Sequence, residues 1–148
     1  MMSDEEMIQL AKETQRKYGF YGMHSLRNVA RELCHYYKIS PYNVARLLWS
    51  PYGLKKEPTT VAKVMISPSG GDVSHEMAAR ILHHPEGLCL SHITTTKILY
   101  AENGLNLTAS EVVVILHSEK GLGLNIDTCI DALHDSRIES EKVLSTTK

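Results

Sequence analysis

Apolar side chains recur in short blocks along this chain, and from Ile39 onward the blocks return every 17 residues without a gap. The segments read ISPYNVARLLWSPYGLK, KEPTTVAKVMISPSGGD, VSHEMAARILHHPEGLC, LSHITTTKILYAENGLN, LTASEVVVILHSEKGLG and LNIDTCIDALHDS. One column is Leu48, Met65, Leu82, Leu99, Leu116, Leu133. The column before it is Leu47, Val64, Ile81, Ile98, Ile115, Ala132, and three positions earlier lie Val44, Val61, Ala78, Thr95, Val112, Cys129. Offsets of three and four trace one face of an α-helix. A further column, Ala45, Ala62, Ala79, Thr96, Val113, Ile130, starts small and grows, so packing is expected to loosen toward the C-terminus.

The ends of each helix are marked too. Ser40, Glu57, Ser74, Ser91, Thr108 and Asn125 fall at the N-cap, and all but Glu57 carry a short oxygen suited to the free N–H groups of the first turn. Pro41 and Pro58 follow at the first helical position. Ser3 with Glu6 and Thr108 with Glu111 have capping-box spacing. Gly53, Gly70, Gly87, Gly104 and Gly121 close the segments, and leucine follows four of them. This predicts a left-handed glycine with an apolar contact back onto the helix. Pro51, Pro68 and Pro85 predict turns that end their helices early. Glu102 and Glu119 replace the proline, so those helices are expected to run a turn longer.

Each segment thus reads as one helix of about 10–12 residues and a tight turn. Two segments make a 34-residue unit, and isolated helices of this length need stacking to persist. The fold class expected is all-α: an α-solenoid of antiparallel short helices in a single domain. Residues 1–38 would be N-terminal capping helices, with one helix from Asp4 to Tyr18 and another from about Ser25 to Tyr37. In the second, Val29-Ala30-Arg31-Glu32-Leu33 echoes Val44-Ala45-Arg46-Leu47-Leu48. Residues 39–136 hold six repeats, and 137–148 form a frayed or helical tail.

Composition narrows the function. The 148 residues carry a formal net charge of −1, which excludes a generally basic DNA-coating protein. Residues 1–70 hold ten Lys/Arg against six Asp/Glu, whereas residues 71–148 hold six against eleven. Six of seven tyrosines, with Trp49 and Phe20, lie in the first 52 residues. A basic, aromatic half suits contact with nucleic acid. The acidic start does not read as a secretory signal, no apolar run approaches a membrane span, and three widely spaced cysteines read as reduced thiols. A cytoplasmic protein is expected.

The sharpest functional column lies between the two core columns: Arg46, Lys63, Arg80, Lys97, Val114, Asp131, with Arg31 in the echo. Cations once per helix could track a phosphate backbone. Lys55 and Lys56 add charge beside the first turn. Histidine recurs as His83, His117 and His134 in the column of Trp49, Ile66 and Tyr100. That pattern reads as half-buried side chains bonding the next turn, since no metal-ligand spacing accompanies it. No phosphate-binding loop or nucleophile elbow is present. No catalytic residue, cofactor, metal or small-molecule substrate is expected.

Leu105-Asn106-Leu107-Thr108, Val112-Val113, Ile115, and Ser118 before a two-residue turn and Gly121 resemble a transcription activator-like effector repeat. The family's serine comes one residue earlier, and its paired glycines occur in this chain at Gly70-Gly71 instead. The resemblance implies a superhelix that follows DNA, with Glu119 and Lys120 in the base-reading turn. The reading from the residues keeps two alternatives. One is a non-enzymatic helical-repeat protein that contacts nucleic acid through the Arg/Lys ladder. The other is a protein-interaction module using Tyr36, Tyr37, Tyr42, Trp49 and Tyr52, since Tyr and Trp are favoured anchors. A homodimer through an uncapped end fits either.

Overall fold

A computed structural model of the chain describes residues 1–19 and 22–146, with side chains to Arg137. Phe20 and the last two residues of the expected tail lie outside the described residues. The described residues are helical and contain no strand. Helix α1 spans Asp4–Tyr18, as expected, and its capping box forms: Glu6 N–H donates to Ser3 Oγ (3.1 Å) and Ser3 N–H to Glu6 Oε1. Helix α2 spans Met23–Arg31 and passes into a π-helical turn, Glu32–Tyr36.

Five nine-residue helices follow, each starting 17 residues after the last: α3 (Pro41–Trp49), α4 (Pro58–Ile66), α5 (His75–His83), α6 (His92–Tyr100) and α7 (Ala109–His117). Ser40, Ser74, Ser91 and Thr108 each accept the backbone N–H three residues on, and Glu57 makes no such bond. The last helix, α8 (Ile126–Thr146), is capped by Asn125, whose Oδ1 accepts from Thr128 N–H at 2.8 Å. No glycine or proline follows the last segment, and α8 continues into the expected tail as far as Thr146.

The helix stops differ from expectation in three ways. The helices are nine residues long rather than 10–12, and α6 and α7 are no longer than their neighbours. The segment glycines are not left-handed. That conformation belongs to Lys38, Lys55, Asp72, Cys89, Asn106 and Gly123, again one every 17 residues. The glycines are required by space instead. A Cβ on Gly53, Gly87 or Gly121 would lie 1.9–2.0 Å from the carbonyl oxygen six residues earlier. That close approach lets the loop fold back and cap the helix. After α3, Ser50 N–H donates to Arg46 O, Leu54 N–H to Leu47 O and Lys56 N–H to Leu48 O, all at 2.8 Å. These bonds satisfy the carbonyls that a helix end leaves open. All three bonds recur after α6, and the first and third after α7, without a proline, so the glycine-gated loop, and not proline, stops the helix.

Helices α2, α4, α6 and α8 pack in succession, as do α1, α3, α5 and α7, and every helix from α4 onward also packs on its predecessor. Val44, Leu47, Leu48, Val61, Val64, Met65, Ile81 and Leu82 are buried in one cluster running through α1–α5 to Ile98. Leu99, Val112, Leu116, Cys129 and Ala132 belong to a second. Between them α6 buries two threonines. Thr95 Oγ1 donates to Ser91 O (2.9 Å) and Thr96 Oγ1 to His92 O (2.7 Å), so both hydroxyls are satisfied inside their own helix.

Candidate nucleic-acid interface

The cation column points outward along the chain. Its flanking residues, such as Leu47 and Ala45 around Arg46, are buried. Arg31 and Lys63 are exposed, Arg46, Arg80 and Lys97 are half-exposed, and Val114 continues the column at 63% exposure. Helix packing divides the column into two sets. Arg31, Lys63 and Lys97 stand on α2, α4 and α6, which pack in succession, whereas Arg46 and Arg80 stand on α3 and α5. The Arg46 guanidinium is engaged, its Nη1 donating to the Met2 carbonyl at 3.1 Å, while Met2 N–H donates to Asn43 Oδ1. Arg31 Nη2 donates to Asn28 Oδ1 at 3.0 Å, a single bond within its own helix.

The turn tips are exposed after every short helix: Pro51 and Tyr52, Pro68 and Ser69, Pro85 and Glu86, Glu102 and Asn103, Glu119 and Lys120. A hydrogen bond from the glycine N–H to the residue three before it closes each turn, at 2.9–3.0 Å. At three of these turns a side chain on that first residue adds a second bond: Ser50 Oγ, His84 Nδ1 and Ser118 Oγ accept from Tyr52, Glu86 and Lys120 N–H. The sequence reading missed this column, which the 17-residue alignment already displays as Ser, Ser, His, Ala, Ser. Lys55 lies exposed in the left-handed position after its turn, and Lys56 is half-buried behind it.

The aromatic residues separate by role. Trp49 and Tyr42 are half-buried against the core, and the Tyr42 ring lies 5.3 Å from that of His84. Tyr36 and Tyr37 are 76% and 57% exposed, with ring centroids 5.0 Å apart and planes at 79°. Tyr52 is exposed at a turn tip. Two members of the histidine column bond the following loop, but only His83 is half-buried: His117 is exposed, and so is His134 on α8. His83 Nδ1–H donates to Leu90 O and His117 Nδ1–H to Leu124 O, both at 2.8 Å, and the acceptor fixes the tautomer.

Other candidate chemistry is quiet. All three thiols are free. Burial pushes Cys34 up to about 11 and also raises Cys129, while Cys89 is exposed. Among the described residues no group of three His, Cys, Asp or Glu side chains could hold a metal. No helix among them is long and apolar enough to cross a membrane. No protein-family model matches the chain, and no curated protein or solved structure matches it.

Proposed function

We propose that the chain is a non-enzymatic α-solenoid, built of 17-residue helix-turn repeats, that binds nucleic acid along its sugar-phosphate backbone. One observation carries this reading. Arg31, Lys63 and Lys97 occupy the same outward position on α2, α4 and α6, and those helices pack one after another. Adjacent packed helices are about 8–10 Å apart, so the series offers a positive charge at a step that a nucleic-acid backbone can follow. The resemblance of residues 105–121 to effector repeats supports the same arrangement. Arg46 contributes less, since it is committed to the Met2 carbonyl.

The test is a fluorescence-anisotropy titration of labelled oligonucleotides at about 50 and 200 mM salt. Each phosphate contact on a duplex contributes about 0.9 to the slope of log affinity against log salt. Replacing Arg31, Lys63 and Lys97 together with alanine should weaken binding and flatten that slope by about 2 to 3. Replacing Arg46 and Arg80 should flatten it less. Absence of binding at low salt, or an unchanged slope in the triple variant, defeats the reading.

A further inference from the structure

Two neighbouring tyrosines that stand in water need a reason, because tyrosine ordinarily lays its ring against the core and keeps only its hydroxyl wet. Tyr18, Tyr42 and Tyr100 in this chain do so, each half-buried. Tyr36 and Tyr37 do not. Their placement follows from the π-helical turn, in which Tyr37 N–H reaches back five residues to Glu32 O at 3.0 Å. The wider turn inserts one residue relative to an α-helix and shifts the face that the following side chains occupy. The chain then re-enters the common pattern at left-handed Lys38, with Ile39 N–H on Leu33 O at 2.9 Å.

The turn is also anchored. His35 Nε2–H donates to Gly71 O (3.1 Å), which ties it to the loop after α4. Lys17 Nζ pairs with Glu32 beneath it, and this pairing raises the Lys17 ammonium above its ordinary value. The rings therefore project from a fixed base. An open hollow of about 400 Å³ lies on one side, lined by Arg31, Glu32, His35 and Tyr36. A narrower groove of about 380 Å³ between α1 and α2 has Tyr37 and Lys17 on its wall. Arg31 thus belongs both to the hollow and to the outward cation series. Because the rings are nearly perpendicular, each offers its own face instead of a shared slot.

We infer that Tyr36 and Tyr37 form a base-stacking platform at the end of the cation series, and that the nucleic acid taken is single-stranded. Unpaired bases can stack on exposed aromatic faces while phosphates lie on cations, whereas duplex bases are already stacked on one another. Arg31 beside Tyr36 supplies the phosphate partner, and Lys38 next to Tyr37 is a second exposed cation. Glu32 does not oppose the strand with a free charge, since Lys17 neutralises it. This inference rests on the backbone-binding reading above and adds the strand class and the residues that select it.

The experiment compares a labelled oligothymidylate with a duplex of the same length, using the full chain, wild type and variants. The wild type should bind the single strand at least about tenfold more tightly. Y36A and Y37A should each weaken single-strand binding by roughly tenfold and leave duplex binding and the salt slope unchanged. Y36F should retain wild-type affinity, and unchanged urea midpoints would confirm that the variants fold. Equal affinity for both strand classes, or full single-strand binding by the Y36A/Y37A double variant, overturns the platform. If the cation triple variant still loses affinity in that case, backbone binding survives without it. If neither oligonucleotide binds, both ideas fall together.

Discussion

Replacing Gly87 with alanine isolates the device that stops each helix. Ordinarily a Gly→Ala change where φ is negative stabilises a protein by about 0.4–1 kcal/mol, because the unfolded chain loses freedom. At Gly87 the opposite sign is expected. The new Cβ would meet Ile81 O at 1.9 Å and Ile81 C at 2.9 Å, both backbone atoms inside a helix. The loop must retreat by about 1.5 Å to restore van der Waals contact. That retreat breaks the bond from Leu88 N–H to Ile81 O and strains that from Leu90 N–H to Leu82 O, each 2.9 Å. At about 1 kcal/mol per bond, plus about 1 kcal/mol for partly uncovering buried Leu88, the loss is about 3 kcal/mol. Cys89→Gly is the complement. Cys89 sits at φ 56°, where an L-residue is disfavoured by about 1 kcal/mol, and glycine's greater unfolded freedom offsets part of that relief. A net gain of about 0.5 kcal/mol is expected. Urea unfolding followed by far-ultraviolet circular dichroism measures both. A Gly87→Ala protein as stable as wild type would refute the claim that space, not backbone handedness, selects these glycines.

Three further outcomes are expected. Glu57→Ser should raise stability by about 0.5–1 kcal/mol in the same urea assay, since α4 alone among α3–α7 lacks a side-chain cap. Alkylation at pH 8 followed by peptide mass mapping should modify exposed Cys89 first, because Cys34 at about 11 is only about 0.1% thiolate there and Cys129 is buried. Acid should weaken α7 through its capping box. Backbone and side-chain bonds at Thr108 hold the Glu111 carboxyl below its ordinary value. Its contribution is therefore present above the unfolded carboxylate pKa and lost as pH falls through the folded one. Urea midpoints across that range should show a smaller acid-side decline for Glu111→Gln.

Much of the helix frame is legible in the sequence because its signals are local. Ser40, Ser74, Ser91 and Thr108 cap where their spacing places them, and the columns headed by Leu47 and Leu48 are buried. The stops are harder to read because glycine has two distinct uses. It marks either a left-handed backbone or a lack of room for Cβ, and one letter stands for both. The left-handed position is meanwhile occupied by lysine, aspartate, cysteine and asparagine, so composition conceals it and only the 17-residue spacing of Lys55, Asp72, Cys89 and Asn106 betrays it. The cation column is visible as a column, but its division between two packed series depends on which helices touch. The π-helical turn left one trace. Leu33 precedes Leu48 by 15 residues, while Lys38 precedes Lys55 by 17, so the stretch from Leu33 to Lys38 is two residues shorter than its counterpart from Leu48 to Lys55.

Thr95 and Thr96 bear on how the molecule comes apart. The described helices pack chiefly on helices one or two along the chain, and burying a hydroxyl that bonds only its own helix adds little to the grip between helices. The two hydrophobic clusters meet at this helix, so cooperativity should be weakest there. The acidic C-terminal end can then open as a separate foldon while the basic N-terminal end stays closed. Native-state hydrogen exchange would register this as two plateaus of protection with the boundary within α6, and proteolysis under mild denaturant would leave a resistant N-terminal fragment that still carries Arg31, Tyr36 and Lys63.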